Sequence, residues 1–198
     1  MARVSQEHLD ARRRQILDGA ARCFARNGFH ATSMADVCAA AEMSPGNLYR
    51  YFRGKDEIIR AIVERDRAEL VAWATRVERH GDIVEALAGL ADDLMRRAAE
   101  PGYARIAVEV LAEAGRDPQV GEFYRRTDAE VCAIVERALA AAARAGRIDP
   151  GLDCKAAAQW LMALGDGIVA RLATDREADR QALVQTYRRM VRGMLGGR

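Results

Sequence analysis

The stretch FHATSMADVCAAAEMSPGNLYRYFRGK, residues 29–55, decides the fold of the chain around it. Ser33 and Asp36 have the spacing of a capping box, which predicts the start of a short helix. Ser44-Pro45 combines an N-cap residue with a proline at the first helical position, which predicts a second short helix. A turn of about three residues separates the two. This arrangement is that of a helix-turn-helix, a DNA-binding motif.

Helical patterns continue on both sides of this stretch. Upstream, Ile16, Ala20 and Phe24 lie on one face of a helix that Asn27-Gly28 ends. Downstream, cap and turn residues predict helices over about 55–80, 82–99, 103–114, 118–145, 153–174 and 176–194. The sequence therefore predicts an all-α fold of about nine helices. We expect an N-terminal three-helix module, residues 1–55, followed by a larger helical body, residues 56–198.

Composition excludes several classes of protein. The 198 residues are 50% hydrophobic, enough for a core, and only 6% aromatic, which argues against a β-sandwich or barrel. No apolar run reaches about eighteen residues and no signal-peptide core is visible, so we expect a soluble, cytoplasmic protein without a membrane partner. The four cysteines and three histidines are too scattered for ligand spacing. We therefore expect no metal and no cofactor.

Charge is distributed unevenly along the chain. Residues 1–55 contain nine Lys/Arg against five Asp/Glu, while the whole chain has a formal net charge of only +2. This asymmetry indicates an anionic partner for the N-terminal module. Arg12–Arg14 could contribute to a DNA surface, or they could form an ordinary solvated basic face.

The second short helix has the residues of a recognition helix. Its apolar residues pack inward and leave a polar outer face, with the small residues Ser44 and Gly46 at its front allowing close approach to a major groove. Asn47 can read an adenine edge, and Arg50 can bind a guanine or a phosphate. The alternative is a helical hairpin with a purely structural role.

At these residues the sequence resembles the TetR family of bacterial transcriptional regulators. The runs GFHATSMADV, residues 28–37, and MSPGNLYRYFRGK, residues 43–55, carry the resemblance. It implies that Ser44, Pro45, Gly46, Asn47 and Arg50 face base edges. It also implies phosphate or sugar contacts for Thr32, Ser33, Tyr49, Tyr51 and Lys55. Two alternatives stay open, that Ser33 only caps its helix and that Tyr51 belongs to the core.

The resemblance also implies a body that binds a small molecule between its middle helices and dimerises through its last two. The candidate pocket residues are Trp73, Met95, Tyr103, Phe123, Tyr124, Cys132, Trp160 and Met162. Candidate dimer contacts are Leu161, Leu164, Gly165, Ile168, Leu183, Tyr187 and Met190. Each of these residues could instead be an ordinary core residue. Glu109, Glu113 or Asp166 could select a cationic ligand, or could lie at the surface.

Two functions from different classes follow. The first is a homodimeric repressor released from a palindromic DNA operator by an unidentified small-molecule effector. The second is an architectural DNA-binding protein that needs no effector. An enzyme has little support, because no nucleophile pairing, phosphate loop or metal spacing is present.

Overall fold

Helices form all the regular structure in the residues that the computed structural model describes, 6–175 and 177–196. The helices are α1 (Gln6–Ala31), α2 (Met34–Ala40), α3 (Pro45–Tyr51), α4 (Lys55–Glu78), α5 (Ile83–Ala88), α6 (Leu90–Ala98), α7 (Tyr103–Ala114), α8 (Pro118–Arg144), α9 (Cys154–Thr174) and α10 (Arg180–Met194). The expected all-α fold is confirmed. Within these described ranges, no helix combines the length and apolar character needed to cross a membrane.

The expected helices and the observed ones differ at two places. In place of the single helix predicted over 82–99, the structure has α5 and α6, which meet at Gly89. The backbone angles at Gly89 remain helical (φ −71°, ψ −12°). This explains why the sequence pattern predicted a single helix across the junction. The start predicted for the last helix, residue 176, lies outside the described residues, and α10 begins at Arg180.

One hydrophobic cluster holds α1, α2 and α3 together with the first turns of α4. In α1 it contains Ile16, Ala20 and Phe24, which share one helical face. Phe24 meets Phe29 edge to face, with ring centroids 4.8 Å apart. The cluster continues along α4 as far as Val63. The N-terminal module and the body therefore share α4, whose first turns belong to the module's core.

The end of α2 is held tightly against α1. A Cβ atom at Gly19 of α1 would lie 2.9 Å from the backbone N of Ala41, so a larger residue would collide with the end of α2. Gln15 Nε2 donates to the carbonyl oxygen of Ala41, and Arg22 Nη2 donates to that of Ala40, both at 2.7 Å. These donors satisfy carbonyls at the negative end of α2. They fix α2 before the turn that leads to α3.

A second cluster forms the body from the later part of α4 and from α5 to α10. At its centre Val131, Val135 and Leu139 of α8 pack with Leu161 of α9, and all four are fully buried. Helix α4 has 24 residues, a length of about 36 Å. It runs from the first cluster into the second, where Trp73 is buried. A single helix thus connects the two halves of the chain.

Helix α7 is a second connection between the halves. Its Val110 is buried in the N-terminal cluster, while Ala104 is buried in the body. Helix α1 is kinked at Gly28 (φ 79°, ψ 168°). Just beyond the kink, the backbone N of Phe29 donates to Glu109 Oε2 of α7 at 3.1 Å. Glu109 therefore supplies an acceptor where the helix has been interrupted, and it fastens the end of α1 to α7.

Candidate nucleic-acid interface and interior cavity

The N-terminus of α2 has the predicted capping box. Ser33 Oγ accepts a hydrogen bond from Asp36 N, while Asp36 Oδ2 accepts from Ser33 N at 2.8 Å and from Ser33 Oγ at 2.6 Å. These bonds lower the pKa of Asp36. Its carboxylate therefore keeps a negative charge at the positive end of α2. A DNA phosphate at Ser33 would be repelled by this carboxylate. The capping box therefore explains why a serine lies at this position, and the contact of Ser33 with a phosphate stays a prediction.

Thr32 lies beneath this cap. Only 1% of the residue is exposed, and its Oγ1 donates to the carbonyl oxygen of Gly28 at 2.8 Å. The hydroxyl thus satisfies a carbonyl at the kink of α1. The hydroxyl is thus used within the protein, and a contact of Thr32 with a DNA phosphate, predicted through its hydroxyl and amide donors, stays a prediction.

The turn between α2 and α3 closes with a Schellman motif. Met43 N donates to the carbonyl oxygen of Cys38 at 3.0 Å, and Glu42 N donates to that of Ala39 at 3.2 Å. Glu42 has a φ of 53°, in the left-handed region that glycine adopts most easily. The turn therefore has a defined geometry that sets the direction in which α3 leaves α2.

Helix α3 combines an anchored inner face with an open outer one. Leu48 and the following Phe52 have no exposed surface and belong to the N-terminal cluster. Ser44 makes no side-chain cap hydrogen bond, so its hydroxyl is available. A Cβ atom added at Gly46 would have nothing within 4 Å. The residues predicted to face bases all lie at this open end, where Ser44, Pro45, Gly46 and Arg50 are exposed and Asn47 is half-buried.

The predicted phosphate contacts at the end of α3 differ in exposure. Tyr49 is 51% exposed, whereas Tyr51 is half-buried against the N-terminal cluster. Lys55 Nζ donates to the carbonyl oxygen of His30 at 3.0 Å, which joins the start of α4 to the end of α1. Lys55 is therefore half-buried beside the helix-turn-helix, and its contact with a phosphate remains a prediction.

The arginines of α1 have partners within the protein. The Arg13 guanidinium lies over the ring of Phe52, 4.5 Å from its centroid, which is a cation–π distance. Arg12 Nη1 donates to Gln15 Oε1 at 2.7 Å. Arg14 is exposed. Arg12 and Arg13 thus support the N-terminal module, and a contribution of these residues to DNA binding stays open.

A cavity of about 60 Å³ lies among α4, α6, α7, α8 and α9. Three of the predicted pocket residues, Tyr103, Tyr124 and Met162, are on its wall. Gly165 and Asp166, which the sequence analysis named in other roles, are also on the wall. Sequence reasoning missed the rest, which are Asp66, Arg67, Leu70, Leu90, Leu94, Arg97, Ala107, Val110, Leu111 and Val169. The sequence did contain one indication of the site, because Arg67 interrupts the apolar stripe of α4 between Val63 and Ala74.

Five predicted pocket residues do not line this cavity, and their assignment is corrected. Trp73 is buried in the core of the body, and Met95 and Cys132 pack against that core. Burial raises the pKa of Cys132 to about 11. Phe123 packs against the N-terminal cluster, and Trp160 is 64% exposed on the outside of α9. An apolar residue on a helix can face a core, a cavity or solvent, and the sequence pattern does not distinguish these.

The three acidic residues proposed to select a cationic ligand, Asp166, Glu109 and Glu113, lie at different places in the structure. Asp166 is on the cavity wall. Glu109 binds the backbone of Phe29, and Glu113 Oε2 lies 3.6 Å from His30 Nε2, so both stand between α7 and α1. Neither can select a ligand in the cavity. In the ranges the structure describes, no group of three or more His, Cys, Asp or Glu side chains is arranged to hold a metal ion.

The predicted dimer contacts divide between buried and accessible residues. Leu161, Ile168 and Tyr187 are at most 8% exposed, and Gly165 faces the side chains of Leu90 and Leu94. These four cannot form a dimer face, because they pack within the chain's own core. Leu164 and Leu183 are half-buried and Met190 is 47% exposed. A dimer face including the latter three stays a prediction.

Comparison with known proteins agrees with this architecture. A family model described as bacterial regulatory proteins, tetR family, matches residues 16–62. A second, described as the C-terminal part of BetI-type transcriptional repressors, matches residues 83–196. The HTH-type transcriptional repressor Rv1474c of Mycobacterium tuberculosis is 30% identical over 184 residues, 93% of this chain and 94% of that protein. UidR of Escherichia coli is 27% identical over 187 residues, 92% of each chain.

Solved structures show the same fold. GusR of Salmonella enterica superposes with a TM-score of 0.75 at 29% identity, covering 98% of this chain and 99% of that one. FadR of Bacillus subtilis, solved in complex with stearoyl-CoA, superposes with a TM-score of 0.76 at 20% identity, covering 93% and 98%. The first family model covers the helix-turn-helix and the second most of the body. This chain therefore belongs to the TetR family, as its resemblance predicted, and is a DNA-binding transcriptional regulator rather than an enzyme.

Proposed function

We propose that the chain is a homodimeric repressor that binds a palindromic operator and releases it when a small molecule occupies the interior cavity. The observation that carries this proposal is the position of α4. The helix begins at Lys55, beside the helix-turn-helix, and its Asp66 and Arg67 line the cavity. A ligand that favours a different tilt of α4 would therefore move α3 relative to the body.

The outer faces of α9 and α10 support the dimer. Trp160 and Met190 are large apolar residues with 64% and 47% of their surface exposed. Gly167 and Gly193 have open space where a side chain would be, so another helix can approach closely there. Two helices from each subunit would form a four-helix interface around a two-fold axis. A dimer of this kind carries two α3 helices, one for each half of a palindrome.

The comparisons support the remaining parts of the proposal. One full-length relative is named a repressor. FadR of Bacillus subtilis, which shares the fold, is described in complex with stearoyl-CoA, so a body of this architecture can bind a small molecule. Because its partner is operator DNA, we propose that the protein acts in the cytoplasm.

Selection of bound duplexes from a random DNA pool tests the binding mode. We expect an inverted repeat whose half-sites are separated by about 34 Å or a multiple of it, since each recognition helix enters one major groove. Sedimentation of the protein with the selected duplex gives the number of chains bound. Selected sites without an inverted repeat would contradict the dimeric mode.

Ligand affinity measured with and without the selected operator distinguishes an effector-released repressor from an architectural DNA-binding protein. Native mass spectrometry of protein purified from its host identifies a small molecule that copurifies. Its affinity is then measured by calorimetry with and without operator duplex. Coupling between two sites is reciprocal, so an effector that releases DNA binds the free dimer more tightly than the complex, typically by about 5–150-fold. Equal affinities would support the architectural alternative.

A further inference from the structure

We propose that the interior cavity accepts an uncharged ligand whose apolar part carries a head group that both accepts and donates a hydrogen bond. Arg67 would donate to the head group and Asp166 would accept from it. This inference deepens the proposed function, on which it rests, by assigning the chemical class of the effector. It depends on the contacts of Arg67 and Asp166 and on the charge of the cavity wall.

Arg67 is a buried cation with an unused donor. The residue is 5% exposed, and its guanidinium carbon lies 3.5 Å from the centroid of the Tyr124 ring. Its ion-pair partner, Asp128, is 3.9 Å from Nη1. Within the described part of the chain, Nε has no hydrogen-bond partner. Burying a donor without an acceptor is unfavourable. A ligand oxygen in the cavity would satisfy this nitrogen.

Asp166 supplies the complementary acceptor. It follows Gly165 in α9 and is on the wall of the same cavity. Among residues 6–175 and 177–196, no side chain donates a hydrogen bond to its carboxylate, and its electrostatic neighbours are Arg67, Asp128 and Asp66. Partial burial raises the pKa of Asp166, while Arg67 opposes that rise. The residue is exposed at the cavity, so a ligand N–H or O–H would replace solvent as the donor to this carboxylate.

The charges on the cavity wall cancel. The ionised residues lining it are Asp66, Arg67, Arg97 and Asp166. Arg97 is paired with Asp66, and also lies 3.1 Å from Glu69 just outside the cavity. A carboxylate in the ligand would face Asp166 and Asp66, while an ammonium group would face the two arginines. An uncharged head group avoids both penalties, because it adds no charge beside the buried Arg67 or the two carboxylates.

The rest of the wall is suited to an apolar ligand body. It includes Leu90, Leu94, Met162 and Val169. A separate cleft of about 340 Å³, bordered by α1, α4 and α7, shares Asp66, Tyr103, Ala107 and Val110 with the cavity. A ligand larger than the inner space thus has room to extend toward α1. Such a ligand would touch both the body and the DNA-binding module.

Three probes of matched shape test the head group: hexanamide, hexanoate and hexylamine. Their dissociation constants are measured with the full chain by ligand-observed NMR titration. We expect hexanamide to bind at least about tenfold more tightly than either charged probe, since a buried unpaired charge costs more than a tenfold change in affinity. Tightest binding by a charged probe contradicts the proposal, and so does the absence of binding by all three.

Two variants make the test sharper because they change the charge of the wall in opposite directions. Arg67→Gln leaves a net negative wall and should shift preference toward hexylamine. Asp166→Asn leaves a net positive wall and should shift preference toward hexanoate. Arg76→Gln, an exposed position on α4 outside the cavity, should change neither preference. If Arg67→Gln fails to fold, the test depends on Asp166→Asn alone. An unchanged order of affinities for the three probes in the Asp166→Asn variant overturns the proposal.

Operator selection without any probe separates this inference from the proposed function. A chain that selects an inverted repeat but shows the wrong order of probes has the proposed DNA-binding mode and a different class of effector. A chain that shows the expected order of probes but binds no operator has the ligand site without the repressor activity.

Discussion

At the scale of single residues, the helix-turn-helix depends on backbone geometry as much as on side-chain chemistry. Gly19 has no side chain at the point where α1 meets the end of α2. Glu42, by contrast, occupies a left-handed conformation (φ 53°) although its side chain disfavours it. The same short segment thus contains one residue well suited to its position and one that is strained. The strain is a target for stabilisation.

Replacing Glu42 with glycine should stabilise the chain. Glycine adopts the left-handed region without steric cost, but it also gains freedom when unfolded. We therefore expect a net increase of about 0.5–1 kcal/mol in the free energy of unfolding, measured by urea denaturation of the N-terminal helices. Glu42→Ala is the matched control, because it removes the side chain's charge and keeps the strain. An equal gain in both variants would show that charge, not backbone conformation, is responsible.

Asn47 and Lys55 should affect DNA binding in different ways. Asn47→Ala should relax sequence preference at one or two positions of each half-site, at a cost of about 1–3 kcal/mol. Lys55→Ala should weaken binding to all sequences alike and reduce the salt dependence by about one unit of slope. Binding of the selected operator and of point-mutated duplexes, measured over a salt series, separates the two effects.

Because Lys55 also bonds the carbonyl oxygen of His30, its substitution needs a control for folding. Lys55→Met keeps the apolar part of the side chain and removes only the charged group. Both variants should lose the same increment of salt dependence. A change in the preferred DNA sequence caused by either one would contradict the assignment of Lys55 to phosphate.

At the scale of helices, two elements link the DNA-binding module to the cavity. Helix α4 contributes to both hydrophobic clusters and to the cavity wall, as the proposed lever requires. Helix α7 is the second link, since Tyr103 and Ala107 line the cavity while Glu109 binds the end of α1. Movement of α7 in response to a ligand would therefore act on α1 directly.

The contact between α7 and α1 can be tested without a ligand. Glu109→Leu removes the acceptor of Phe29 N, and a hydrogen bond to a charged group contributes about 1.5–3 kcal/mol. We expect amide hydrogen exchange at Phe29 to accelerate by at least about tenfold. Glu109→Gln keeps an acceptor and should show a smaller change. Amides around Leu161, in the core of the body, serve as the internal reference, and an equal acceleration there would indicate general destabilisation.

At the scale of the whole molecule, the outer surfaces of α9 and α10 leave large apolar side chains uncovered in the single chain. Trp160 and Met190 are exposed there, although both are large apolar residues. In an interface, tryptophan contributes disproportionately to binding, because it buries a large rigid surface. The proposed dimer gives these residues a function that a monomer does not.

Trp160→Glu should therefore dissociate the dimer. Loss of a central tryptophan costs about 2 kcal/mol or more, which raises the dissociation constant by roughly thirtyfold. Sedimentation equilibrium measures this change, and binding to a full palindrome should weaken with it. Ala129→Glu, at an exposed position on α8, is the control and should leave the dimer intact. A Trp160→Glu chain that sediments like the unmodified protein would show that the subunits meet elsewhere.

The sequence by itself determined the features that depend on neighbouring residues. The capping box at Ser33, the turn at Glu42 and the proline-led start of α3 each involve only a few consecutive positions, so the helices and the helix-turn-helix followed directly. The exposed front of α3 followed too, because a short amphipathic helix has only one face to bury. These interactions are local, and their free energy is little changed by the rest of the chain.

Only the tertiary structure decided what the apolar and charged residues of the body face. Tyr187 and Met190 belong to the same helix and the same sequence pattern, yet one is buried within the chain and the other is exposed. Arg67 and Asp166 are 99 positions apart and line one cavity. Burial is equally favourable against a core, a ligand or a second subunit. The hydrophobic pattern of a helix therefore indicates that one of its faces is buried. The packing of the other helices determines whether a core, a ligand or a second subunit buries that face.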